Sequence, residues 1–272
     1  GVKTIQNPRI MNRIMNSASD LKSLIIQHAE DAELSKDGMI NDGIIATKLG
    51  LQGIPISAEL LIIERDLTLL EYNSCRYHIS QISSANSVDI IRERKNKVNF
   101  SCGVSINNLS LNENDIGDFK TFLKLSPPLR TETDRNALVQ GLNDETIDVI
   151  VSDHKPEDEE NKRLTFAQAE TGASGIETLL PLSLELYHNG SVELETIIKA
   201  LTSKPAEILK INKGNLSTGN DADFCIVDIN KPWVVRKEKL ISKSKNTPIE
   251  DKKLQGKVLS TFVNGEELFK SE

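Results

Sequence analysis

Along the first 190 residues the apolar positions fall into two alternating rhythms, short unbroken runs and longer stretches at helical spacing. Ile10, Met11, Ile14 and Met15 repeat as one helix face, and Ser23 to His28 then reads as a buried strand. A second helix is predicted from Ser57 to Glu71, with Leu60, Leu61, Ile63, Leu67 and Leu70 as its apolar side. Strand Arg76 to Ile82, helix Ala85 to Lys95 and strand Val98 to Val104 follow. Thr131 with Asp134 opens another helix that reaches Leu142, and Ile147 to Asp153 is a fourth strand. Such alternation implies parallel pairing, because parallel neighbours need long crossovers and helices supply them.

The pattern then changes. A helix from Gly175 to His188 ends at Asn189-Gly190, a left-handed stop, and Ser191 is placed to cap the next helix, with Glu193 in its first turn. Beyond about Asn215, the strands Ala222 to Val227 and Val258 to Val263 are separated by Gly, Asn and Lys, and Asn264-Gly265 marks a hairpin requiring positive φ. The expected division is an α/β domain over 1–214 and a small β portion over 215–272. The Lys-rich stretch from Lys237 to Lys253 reads as loosely structured. Four parallel strands can make a small open sheet or half of an eight-stranded barrel, and periodicity leaves both open.

Composition narrows the function classes. The chain has 272 residues, 38% of them hydrophobic, enough for a substantial core. Net charge is −7 with the two signs interspersed, and no basic stripe alternates with aromatics, which argues against a nucleic-acid partner. Runs such as Leu24-Ile25-Ile26 are too short to cross a bilayer, and no signal-like apolar stretch follows Gly1. Cys75, Cys102 and Cys225 carry no CxxC pairing and read as reduced thiols of a cytoplasmic protein, most of them small core residues.

Parallel sheets place their sites at the C-terminal ends of strands. Those ends carry His28-Ala29-Glu30-Asp31, Gln81-Ile82-Ser83-Ser84, Ser105-Ile106-Asn107-Asn108 and Ser152-Asp153-His154. His28 and Asp153 can reach one metal ion, and imidazole with carboxylate suits zinc, although two ligands alone do not hold it. Blander readings stand beside this: His28 as a satisfied buried histidine, Asp153 as a turn cap paired with His154. His78 is expected to face away from the mouth, His188 to lie on the surface and Glu157 to Glu160 to form a solvated acidic loop.

These segments resemble the bacterial dihydroorotases of the amidohydrolase superfamily. His28 to Asp31 is similar to that family's fifth-strand motif, and Tyr77 to Ser84 resembles its sixth-strand segment. Ser126-Pro127-Pro128-Leu129-Arg130 is similar to its Asn-Pro-Pro-Leu-Arg loop, and Asp148 to Pro156 to its eighth strand. Gly172 to Thr178, Lys204-Pro205-Ala206 and Gly219 to Asp223 match later motifs in order. The resemblance implies a (β/α)8 barrel, of which this chain carries about strands five to eight, with part of a β-sandwich. It implies reversible hydrolysis of dihydroorotate to N-carbamoyl-aspartate in pyrimidine biosynthesis at a zinc site. Carried over, His28 is a metal ligand, Asp153 a metal-site residue that shuttles the proton, and Ser126, Arg130 and Gly172 contact substrate, with a structural role equally open for Arg130.

The chain also departs from the pattern. The family's strand-one His-x-His with its Arg, and its Ser-Asp-Asp-Gly segment, would precede Gly1-Val2. The later His of the sixth-strand motif is Gln81, a neutral amide that ligates zinc poorly or holds a water in the ligand position. Ile106-Asn107-Asn108 stands for Pro-His-His, Ser126 for Asn and Glu157 for His. Together these imply a weakened or inactive enzyme, a pseudoenzyme. Two alternatives are a scaffold for aspartate carbamoyltransferase and an amidohydrolase for another cyclic amide or ureide. An open half-barrel is expected to need its upstream half or a homo-oligomer.

Overall fold

The first helix, α1 (Pro8–Asp20), starts where the Asn7 side chain accepts hydrogen bonds from the amides of Arg9 and Ile10, with Pro8 in the first turn where no N–H is needed. Its buried stripe is Met11, Met15 and Ala18, one residue per turn on the core side. Each methionine is worth roughly 1.5–3 kcal/mol of apolar burial. The computed structural model describes residues 4–271, so Gly1 and Val2 lie outside the described residues.

Strand β1 (Leu24–Gln27) follows, then a short unit of β2 (Ile40–Asn41), α2 (Ile44–Leu49) and β3 (Gly53–Ile54), in which β2 and β3 pair in parallel. Two-residue strands carry no periodicity, so this unit has no signature in the sequence. Helix α3 (Ser57–Leu70) forms as expected, but its buried face is turned. Ile62, Ile63, Leu67 and Leu70 are buried while Leu61 is 52% exposed. Glu59 and Asp66 sit on that buried face, so polarity misplaces the stripe.

Next come β4 (Arg76–Ile82), α4 (Ala85–Arg94), β5 (Ser101–Ser105) and the short α5 (Ile106–Ser110). Helix α6 (Glu132–Asn143) opens on the capping box of Thr131 and Asp134. Strand β6 (Val149–Val151), α7 (Glu159–Lys162), α8 (Leu179–His188), α9 (Leu194–Leu201) and α10 (Ser203–Leu209) complete the α/β part. Gly175 precedes α8 in a turn rather than starting it, because the Thr178 hydroxyl donates to the Gly175 carbonyl. Nor does Ser191 cap α9; its amide is taken by Asn189 and the Leu186 carbonyl, and Glu193 holds the cap position.

Strands β1, β4, β5 and β6 form one sheet in that order, every pair parallel. Register puts Ile25, Tyr77, Ile79, Cys102, Val104 and Ile150 on one face, and they join the buried cluster beneath the helices. The other face carries Ile26, His78, Ser101 and Gly103, and Ile26 is 55% exposed. Ile26 stands out on that second face, where His78 and Gly103 are buried, and among the described residues β1 and β6 are the edge strands.

Strands β7 (Phe224–Val234), β8 (Lys253–Val263) and β9 (Glu266–Lys270) make an antiparallel sheet. Asn264 and Gly265 both have positive φ in the hairpin between β8 and β9, as the dipeptide predicts. The Lys-rich segment between β7 and β8 is not loose. Leu240, Asn246, Thr247 and Ile249 are all buried, because it folds back over the α/β part. Cys75 and Cys102 are buried as expected, but Cys225 is exposed on β7. Among the described residues no helix is long and apolar enough to cross a membrane.

Candidate active site at the rim of the parallel sheet

The strand ends bring His28, Gln81 and Asp153 to one rim. Gln81 stands near the end of β4, where the register with β5 shifts, and its amide Nε2 donates to Asp153 Oδ1 at 2.9 Å. Asp153 follows β6 with a φ of +47°, a turn that redirects its carboxylate toward β4. Burial raises the Asp153 carboxyl above its usual range, opposed by the Gln81 hydrogen bond and by the charges of His28 and Lys155. His28 acts on Asp153 through its charge while its hydrogen bonds go elsewhere. Its Nε2 is 3.2 Å from Glu30 Oε2 and 3.3 Å from Ser126 Oγ, and the Ser126 hydroxyl also donates to Glu30 at 3.2 Å. The hydrogen bond with His28 is the main force holding the Glu30 carboxyl below its usual range.

Asp153 does not pair with His154, as the turn-cap reading would have it. His154 Nδ1 instead accepts from the Gly175 amide at 3.2 Å and, more weakly, from that of Ile176. His78 lies deeper in the sheet, with Nδ1 2.8 Å from Ser101 Oγ. His188 is exposed on α8 and meets the Ile229 carbonyl, while Glu157 to Glu160 run into the short α7.

Arg130 is 3% exposed and lies behind the rim. It donates to Ser83 Oγ at 3.1 Å, Asn41 Oδ1 at 2.8 Å and the Ile54 carbonyl at 2.6 Å. Burial lowers its pKa, offset by the charges of Glu59, Asp134, Glu30 and Glu113. Glu59 in turn accepts from the Ser83 amide and from the hydroxyls of Ser83, Ser84 and Ser87. Asn41 donates to Glu113 at 2.6 Å. This buried network fixes the ends of β3 and β4 and the Ser126–Arg130 loop together. Sequence reasoning missed Asn41, Glu59 and Glu113, whose only trace is polar residues within apolar surroundings.

Gly172 has a φ of +141°, and a Cβ there would lie 2.6 Å from the Lys155 carbonyl oxygen. Its amide donates to the Lys124 carbonyl at 2.9 Å, and its own carbonyl accepts from Lys162 Nζ and Asn246 Nδ2. Asn246, 3% exposed, also accepts from Ser174 Oγ at 3.0 Å, so the β7–β8 connection straps the Gly172–Ser174 segment. That segment pairs with His154 and Lys155 beside Asp153.

Zinc needs lone pairs converging on one point. Among the described residues no three His, Cys, Asp or Glu side chains are grouped to hold a metal. His28 Nε2 faces a carboxylate and a hydroxyl, and one Asp153 oxygen already accepts the Gln81 amide. The described side chains therefore do not fit a zinc centre by themselves.

A model of the amidohydrolase family matches residues 3–268. Over 96% of this chain, a dihydroorotase of Ehrlichia canis (strain Jake) is 41% identical, and this covers 59% of that protein. A dihydroorotase of Anaplasma phagocytophilum (strain HZ) is likewise 41% identical, with 98% and 60% covered. The chain thus spans about 60% of the length of these relatives. The fold is similar to an L-hydantoinase (dihydropyrimidinase) from Arthrobacter aurescens, with a TM-score of 0.87 at 24% identity over 97% of this chain and 61% of that one. By family model and by identity, the chain belongs to the amidohydrolase family and groups there with the dihydroorotases.

Proposed function

We propose that the chain is the C-terminal half of a dihydroorotase-type (β/α)8 barrel, strands five to eight with part of the β-sandwich. Its rim would serve cyclic-amide hydrolysis on dihydroorotate, with Asp153 as the proton-transfer residue and His28 as the metal-side imidazole. The exposed Ile26 and the edge strands β1 and β6 of the parallel sheet support this reading, as does coverage of about 60% of the relatives. An exposed strand edge seeks a partner, so the chain closes its sheet against an upstream half or a second copy.

The Gln81–Asp153 hydrogen bond carries the rest of the proposal. An amide N–H holds the carboxylate where the family's pattern has a histidine. The chain alone is expected to show no turnover, and Gln81→His is expected to raise its zinc content. The test is dihydroorotate hydrolysis with added zinc, together with metal analysis of both proteins. Hydrolysis by the unmodified chain that disappears in Asp153→Ala would refute the inactive-rim reading. A sharp, concentration-independent unfolding of a monomer would refute the half-barrel.

A second reading, a non-catalytic scaffold for aspartate carbamoyltransferase, is compatible with a rim in which Gln81 stands in place of a ligating histidine. Retention of that enzyme by the immobilised chain, with no metal bound, would decide for it.

A further inference from the structure

The β7–β8 connection carries an apolar knuckle that the fold holds out toward solvent. Ile241 is 81% exposed, between the buried Leu240 and the half-buried Ser242. Its amide and that of Ser242 both donate to the Glu177 carboxylate, each at 2.9 Å, so the backbone beneath the side chain is fixed. The same contact brings up Ile176, the residue before Glu177, which is 60% exposed. Two exposed isoleucines therefore stand on backbone joined by one carboxylate. Such grouping marks a contact surface, and ordered backbone loses little freedom when a partner binds.

Charge is sorted around this pair. Lys239 and Lys243, two residues to either side of Ile241, are exposed and form none of the ion pairs found among the described residues. The neighbouring cations are engaged: Arg236 with Asp251, Lys237 with Glu250, Lys252 with Glu185 and Lys245 with the Leu240 carbonyl. Beyond Lys243 the connection meets an acidic segment. There Ser244 Oγ donates to the Glu157 carbonyl at 2.7 Å, and the Glu157 amide donates to Asn246 Oδ1 at 3.4 Å. Asp158, Glu159 and Glu160 follow, all exposed, and among the described residues the two glutamates pair only with the nearby Arg163, at 2.6 and 3.6 Å.

An apolar pair bordered by free cations and by carboxylates complements a copy of itself. A two-fold axis sets each charged group of one copy against the opposite group of the other, whereas a partner of single charge leaves half of the patch unmatched. We propose that this face is a two-fold interface between copies of the chain, with Ile176 and Ile241 at its centre and Lys239 and Lys243 of one copy against Asp158, Glu159 and Glu160 of the other. None of these residues lies on β1 or β6, so the contact is separate from the edges of the parallel sheet.

Analytical ultracentrifugation of the chain purified with the upstream part of its barrel tests this, because association through the sheet edges is then covered. If the upstream part does not assemble, the same variants are read on the chain alone, so failure of the barrel reading and failure of this one are told apart. Ile241→Asp should weaken self-association about a hundredfold, since it removes an apolar side chain from both copies. Lys239→Glu with Lys243→Glu, and Glu159→Lys with Glu160→Lys, should each weaken it about tenfold, and added salt should weaken the unmodified dimer. Mixing the two charge-reversed proteins in equal amounts should restore the dimer, an outcome that neither misfolding nor a contact elsewhere produces. A single copy of the unmodified protein at micromolar concentration, a dimer untouched by Ile241→Asp, or a mixture as weak as its components would overturn the proposal.

Discussion

Replacing Arg130 with methionine separates a structural role from a ligand contact. The guanidinium is buried and donates to Ser83 Oγ, Asn41 Oδ1 and the Ile54 carbonyl, with Glu59, Glu113 and Asp134 close enough to act on it. Methionine fills similar volume but leaves three acceptors without a donor and buried carboxylates without a compensating charge. Removing one partner of a buried ionic network costs about 3–5 kcal/mol, and each orphaned acceptor about 1–3. These overlap, so the expected loss is about 4 kcal/mol. With a urea slope of about 3 kcal/mol per molar, the midpoint falls by more than about 1 M. The assay is urea unfolding followed by far-UV circular dichroism at fixed protein concentration, since association shifts the apparent stability. Arg130→Lys restores the charge without the planar fork and should recover only part of the loss. Adding Glu59→Gln to Arg130→Met should cost less than the two single losses combined, because the remaining charge is removed with its partner. A loss below about 1 kcal/mol for Arg130→Met would refute the buried-network account and return Arg130 to the rim.

Two further outcomes follow from the loop beside Asp153. Gly172→Ala forces a Cβ to 2.6 Å from the Lys155 carbonyl oxygen at a φ of +141°. A cost of about 2–3 kcal/mol is expected, confined to faster hydrogen exchange at the Lys155 and Ser174 amides; unchanged exchange there would contradict it. Lys162 is 2% exposed, and burial lowers its ammonium to about 8, against 10.5 for the ordinary side chain. Between these values the unfolded chain binds more protons than the folded one, so this group makes stability rise with pH by up to about 3 kcal/mol. Urea midpoints from pH 7 to pH 10 should show that rise relative to Lys162→Met, and a flat difference would count against it.

Much of the scaffold is legible in the amino-acid order. Strand β4 runs from Arg76 to Ile82 as its apolar content predicts, and the capping box at Thr131 and Asp134 starts α6 where the residues say it must. Such features depend on neighbours a few positions away, so local chemistry suffices. The buried face of α3 was not legible, because Glu59 is satisfied by serines more than twenty residues distant and so occupies a place that polarity assigns to solvent. The Lys237 to Lys253 stretch looked loose for the same reason: Asn246 finds its partners on Gly172 and Ser174, far along the chain.

Residue order is enough for the alternation that makes a parallel α/β sheet, the strand ends that carry His28, Gln81 and Asp153, and the family motifs in their succession. What those side chains do with one another emerges in the folded chain: Gln81 holding Asp153, His28 turned to Glu30 and Ser126, Arg130 withdrawn into a buried network and Gly172 making room for Lys155. The physical reason is range. Helix and strand formation answer to local spacing, whereas the pairing of buried polar groups answers to whichever donors and acceptors the folded chain brings within hydrogen-bond distance.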